Sequence, residues 1–220
     1  MQVCDDPAVR AAEPAQWATT GAILADAFLT DPVWSWLLPE DVQRHGRLER
    51  FFGLESRYVA LPHGLSVIGG ADQGAVLVLP PGAWRTPVSV QARHLPAYAR
   101  VFGRGLPRAL GVLTRLEQLH LRRPHHYIAY IGVTAGARGQ GLGEAMLRVV
   151  LDGADRDGLP SYLEASSPRS AALYARMGFT AIRDIRPLRS PPIRLMVREP
   201  AASLRARGSI SRVRRARAAS

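Results

Sequence analysis

The run Arg138-Gly139-Gln140-Gly141-Leu142-Gly143 holds the most specific chemistry in the chain. Small residues opening a helix let backbone N–H groups approach an anion closely, and the helix start adds unpaired donors and a positive dipole end. The expected ligand is a cofactor pyrophosphate, and glycine spacing narrows which cofactor. A dinucleotide fingerprint, G-x-G-x-x-G, would place its third glycine on Glu144, a carboxylate beside a pyrophosphate. A nucleotide-triphosphate loop needs a lysine, and the chain has none, because all 29 of its basic residues are arginine. The same absence removes Schiff-base and catalytic lysines.

The flanking elements place this turn on a sheet. Residues 127–133 form an apolar run suited to a strand buried on both faces. Leu142, Ala145, Met146, Val149, Val150 and Ala154 then repeat at the spacing of a helix laid on that sheet. Gly158-Leu159-Pro160 precedes a short strand at 161–165, and Pro168 opens a helix over 169–177 that Gly178 closes. Residues 179–185 and 193–197 supply two further strands. Upstream, residues 9–17 read as a first strand and turn, 18–29 as a helix, and 42–61 as a second helix with Gly64 as its stop. Residues 65–68 and 75–79 pair as a hairpin through a glycine-rich connection. Residues 87–123 read as a helix broken near 103–107, serving either as a wall over a pocket or as a plain packing layer.

Arg138-x-x-Gly141-x-Gly143 follows Ile131-Gly132-Val133 and precedes Tyr162-Leu163-Glu164-Ala165 and Leu173-Tyr174-Ala175-Arg176-Met177-Gly178-Phe179. This order resembles the Gcn5-related N-acetyltransferases, whose turn holds the pyrophosphate of coenzyme A. The resemblance extends from about residue 9 to 200 and is tightest over 127–179. The run 165–179, Asp31-Pro32 and Pro191-Pro192 are similar to the branch containing puromycin N-acetyltransferase. The resemblance implies an α/β (α+β) fold whose mixed, mostly antiparallel sheet of about six to seven strands is flanked by helices, with two parallel strands splayed at the cofactor site. It also implies an enzyme that moves acetyl from acetyl-CoA to a primary amine of a small molecule, antibiotic or nucleoside-like, by direct attack in a ternary complex.

The site residues follow from the same resemblance. Backbone groups of Ile131, Gly132 and Val133 pair with the pantetheine arm, and an N–H near Val133 polarises the thioester carbonyl. Arg138, Gly139, Gln140, Gly141, Leu142 and Gly143 hold the pyrophosphate. Tyr174, whose phenol keeps its proton at neutral pH, protonates the leaving thiolate. Ser170 stands where the family commonly has an asparagine on the cofactor, and its reach is shorter. Glu164 either takes the substrate's ammonium proton or forms an ion pair with one of the many arginines. Trp34, Trp36 and Tyr58 either line an acceptor pocket or pack in the core. Two rival functions remain on this scaffold, a non-catalytic module binding coenzyme A or nucleic acid, and a protein N-acetyltransferase.

Composition sets outer bounds. A length of 220 residues suits a single domain over 1–200 with a basic tail at 201–220, expected to be disordered. Much of the net charge of +11 lies in that tail, whose arginines lack the interleaved aromatics that stack nucleic-acid bases. No apolar run approaches the roughly 20 residues that span a bilayer. The first residues lack a basic and apolar leader, so the expected compartment is the cytoplasm, as a monomer or homodimer. Cys4 alone builds neither a disulfide framework nor a cysteine zinc site, and His125 and His126 match neither a zinc pair nor a triad, so no metal is expected.

Overall fold

The computed structural model describes residues 9–85 and 88–201, so the basic segment expected to be disordered lies, apart from Ala201, outside the described residues. Among the described residues, seven strands form one sheet: β1 (Val9–Ala11), β2 (Val67–Gly69), β3 (Gly74–Leu79), β4 (His126–Val133), β5 (Ser161–Ala165), β6 (Thr180–Ile185) and β7 (Ile193–Arg198). Their order is β1-β2-β3-β4-β5-β7-β6, and only β4 and β5 run parallel. This is the mixed, mostly antiparallel sheet expected.

Alternation along β3 divides the helices into two layers. Ala75, Leu77 and Leu79 join one apolar cluster, whereas Val76 and Val78 join another. The first cluster takes in α1 (Trp17–Phe28), α2 (Pro32–Leu37), α3 (Asp41–Leu54), α4 (Val88–Phe102) and α5 (Leu106–Leu119). The second takes in α6 (Leu142–Arg156) and α7 (Pro168–Arg176). Beyond α3, a π turn at Glu55–Ala60 and a short 3-10 turn carry the chain to Gly64, where φ of 67° ends the helical stretch. The proline-bracketed aromatic run forms α2 because the Asp31 carboxylate accepts from Val33 N at 2.9 Å and Trp34 N at 3.2 Å, with Pro32 preset at the first turn. No helix among the described residues is long and apolar enough to cross a membrane.

Two irregularities in β4 shape the site. Leu77 pairs with Tyr130 and Val78 with Ile128, so Ala129 is an extra, bulged residue. The bulge resets the alternation and brings Tyr127 and Tyr130 onto the same face, in the first cluster. Parallel pairing with β5 stops after His126–Ser161 and Tyr127–Tyr162, while β5 goes on pairing with β7 as far as Ala165–Arg194. The two strands therefore part, leaving the β4 backbone beyond Tyr127 without a partner on the β5 side. A strand buried on both faces was expected here; several of its residues are instead half-buried, since that edge opens into a cavity.

Candidate active site

The cavity, of about 1300 Å³, is lined at one end by the glycine turn and α7 and at the other by α4 and α5. Gly139 and Gly141 take φ of 80° and 81°, a region that side chains with a Cβ rarely enter. Ala145 N donates to Gly141 O at 3.0 Å. The N–H groups of Leu142, Gly143 and Glu144 precede that bond and have no acceptor within α6. Arg138 Nη2 donates to Ala27 O at 3.0 Å, tying the turn to the end of α1. Gly132 lets α1 approach β4, since a Cβ there would lie 2.6 Å from that of Ala27. Gln140 does not line the cavity: its side chain donates to Gly136 O at 3.1 Å, so only its backbone is left for an anion.

The donor set fits coenzyme A. Unpaired N–H groups at a helix start suit a pyrophosphate, and an unpaired strand edge suits an extended arm that pairs through peptide groups. Gly141→Ala is expected to strain the turn by about 1–2 kcal/mol and to weaken coenzyme A binding roughly tenfold, measured by titration calorimetry.

Glu164 projects from β5 into the layer of α1–α5, where it meets a histidine that sequence reasoning passed over. His120, just past the end of α5, brings Nδ1 to 3.7 Å from Glu164 Oε1. No arginine pairs with Glu164 among the described residues, and its Oε1 is buried without a hydrogen bond, as is the Tyr162 hydroxyl. Burial and then the Glu164 charge hold the Tyr127 and Tyr162 hydroxyls above the ordinary phenol range, so both stay protonated.

The proton positions on the histidines follow from their neighbours. His125 Nδ1 lies 2.7 Å from Arg123 O, a carbonyl that only accepts, so Nδ1 carries a proton. Burial lowers the His125 pKa and favours its neutral ring, leaving Nε2 as an acceptor. His120 Nε2, 3.0 Å away, must then donate. That leaves His120 Nδ1 facing Glu164, with its ring held by stacking on Trp84 at 4.0 Å. His126 lies outside this group and pairs with Asp157 at 2.8 Å.

Tyr174 enters the cavity from the other face, on α7. It is 6% exposed and packs on Phe179 with ring centroids 6.0 Å apart. Burial and then the Asp31 charge hold its hydroxyl well above the ordinary phenol range. Asp31 itself accepts from the Ser166 hydroxyl, and burial raises its carboxyl. Glu164 from one layer and Tyr174 from the other thus both line the cavity that opens where β4 and β5 part.

Other predicted residues sit differently. Ser170 lines the cavity, but its hydroxyl donates to Ser167 O at 2.9 Å and accepts from Ser167 N at 3.3 Å, so its one proton is used in capping α7. Trp34 both lines the cavity and packs against Phe51, 4.6 Å away. Trp36 does not line it: two residues further along a helix, it faces the opposite side and lies under the Arg108 guanidinium at 4.6 Å. Tyr58 is 40% exposed, stacks on His94 at 4.2 Å and lies outside the cavity wall.

Glu55, on the π turn after α3, also lines the cavity and was not foreseen. Burial raises its carboxyl from 4.5 to about 7, although the Tyr98 hydroxyl donates to it at 2.6 Å. Between those pH values the folded state holds a proton that the unfolded state has lost, so stability falls as pH rises. Thermal melts at successive pH values are expected to show this slope, and Glu55→Gln to flatten it relative to the parent protein.

An unpaired strand edge leading to a glycine turn at a helix start fits an acyltransferase that draws its acyl group from acetyl-CoA. Residues 93–179 match the model of the Acetyltransferase (GNAT) family. An N-acetyltransferase of Schizosaccharomyces pombe, described as uncharacterized, is 25% identical over 224 residues, covering 92% of this chain and 87% of that protein. A Corynebacterium glutamicum structure, described as histone acetyltransferase HPA2 and related acetyltransferase, superposes with a TM-score of 0.67 at 24% identity, covering 88% of this chain and 96% of that one. Arylalkylamine N-acetyltransferase 2 from Aedes aegypti superposes with a TM-score of 0.54 at 13% identity, covering 87% and 97%. Both solved structures share the fold.

Proposed function

We propose that the protein transfers acetyl from acetyl-CoA to a primary amine of a small molecule. The observation that carries this reading is the extent of the cavity past Glu164, between β4 and the helices α4 and α5, where Trp34, Trp84, Tyr98 and Phe102 offer flat apolar surface. Resemblance of Asp31-Pro32 and of the run 165–179 to the puromycin N-acetyltransferase branch supports an antibiotic or nucleoside-like acceptor.

Acetyl-CoA supplies the activated acetyl group and a thiol leaving group. The chain supplies the proton transfers. An amine attacks only as the free base, so Glu164 accepts its proton at the cavity wall, with His120 Nδ1 3.7 Å from the carboxylate. Tyr174, kept protonated by its burial, donates from the opposite layer to the departing sulfur. Ile131, Gly132 and Val133 orient the arm through their backbone, and the turn anchors its phosphates. The test is thiol release from acetyl-CoA with a panel of small primary amines and of peptides with free N-termini. Turnover of small amines supports the reading; turnover of peptides alone overturns it.

A further inference from the structure

In a chain of net charge +11, the acceptor end of the cavity carries no arginine among the described residues. The arginines that do line the cavity, Arg138, Arg169 and Arg176, all belong to the cofactor turn or α7. Arg93, Arg100, Arg108 and Arg115 lie on α4 and α5, yet none of them reaches its wall. Arginine at the cavity wall is therefore confined to the cofactor end, where Asp31 and Glu144 also line it, while Glu55, Glu117 and Glu164 line the rest; Arg85 and Arg122 stack on Trp84 without reaching the wall.

Glu55, like Asp31, Glu117 and Glu144, is a lining carboxylate that the transfer reaction leaves unused. Tyr98 donates to Oε1 at 2.6 Å, and Glu55 forms no salt bridge among the described residues. A half-buried carboxylate without a cation is held at a cost, which a cationic ligand would reverse. Tyr130 lines the same cavity as Glu55 and Glu164, and its ring meets that of Phe51 at 6.0 Å, which in turn meets that of Tyr98 at 6.0 Å. The rings of Tyr130, Phe51 and Tyr98 add faces that attract a cation.

We infer that the acceptor is dicationic: one amine is deprotonated at Glu164 and acetylated, while a second ammonium or guanidinium group on the same molecule is held by Glu55 and Tyr98. This rests on the small-amine reading of the cavity. Glu55 makes and breaks no bond; the new N–C bond forms at the other nitrogen as the C–S bond breaks.

The test compares chain-matched acceptors, putrescine against butylamine and cadaverine against pentylamine, by thiol release with the full chain. A diamine is expected to exceed its monoamine in kcat/KM by at least about tenfold, the scale of one hydrogen-bonded charge pair. Glu55→Gln is expected to cost the diamine at least about tenfold more than the monoamine. Should that variant fail to fold, as seen by circular dichroism, Tyr98→Phe serves, and the diamine preference is expected to shrink as the carboxylate loses its positioning donor. Equal kcat/KM for diamine and monoamine in the parent protein overturns the inference while leaving the small-amine reading intact. Equal loss on both acceptors in Glu55→Gln overturns it in the same way, and turnover of no small amine overturns both.

Discussion

Tyr174→Phe is expected to lower kcat by roughly 10²–10⁴-fold, the usual worth of a positioned acid, while KM for acetyl-CoA stays within a few-fold. The ring remains in its apolar setting against Phe179, so the fold is retained and only the hydroxyl is lost. Burial and the nearby Asp31 charge keep that hydroxyl protonated through the neutral range, so it is a donor whenever sulfur departs. An effect confined to kcat separates a proton donor from a binding group, because binding to the intact arm is made before sulfur carries charge. Steady-state kinetics on an accepted amine decides it: unchanged turnover removes Tyr174 from the mechanism, and a rise in KM alone makes it a binding residue.

Tyr174 and the glycine turn were legible because their signals are contiguous: a turn, a helix start and a Gly-Phe pair lie within a few residues of each other. The strands were legible as short apolar runs bounded by glycine and proline, but the split of Val76 and Val78 from Leu77 and Leu79 between two layers was not, because all four are apolar. Side-chain direction was harder to read. Residues 32–37 were not read as a helix, so Trp34 and Trp36 looked equivalent, although a helical turn sends them to opposite sides. The Ala129 bulge left no mark in an apolar run, yet it places Tyr130 beside Tyr127. Glu55 and His120 were missed for a related reason. Each gains its chemistry from residues distant in sequence, Glu55 from Tyr98 and His120 from Glu164, and neither pair has a characteristic spacing. Gln140 shows the converse, a motif position whose side chain folds away from the cavity onto Gly136 O.

The second large effect concerns the proton that must leave the amine. Glu164→Gln keeps the shape of the β5 side chain but removes the acceptor, and kcat/KM at neutral pH is expected to fall roughly 10²–10⁴-fold. The pH profile identifies the cause. In the variant, rate depends on amine that has already lost its proton in solution, so it should climb about tenfold per pH unit toward the amine's own pKa, near ~10 for an alkylamine. The parent protein should level off at lower pH, because Glu164 removes the proton after binding. His120→Phe preserves an aromatic ring against Trp84 but removes Nδ1, the atom 3.7 Å from the carboxylate. Its loss should be smaller than that of Glu164→Gln, and adding His120→Phe to Glu164→Gln should cost little more, since a group acting through another has nothing left to act on. Additive losses in the double variant would instead assign His120 a separate contact with the acceptor. A Glu164→Gln profile that levels off at the same pH as the parent would place the base elsewhere.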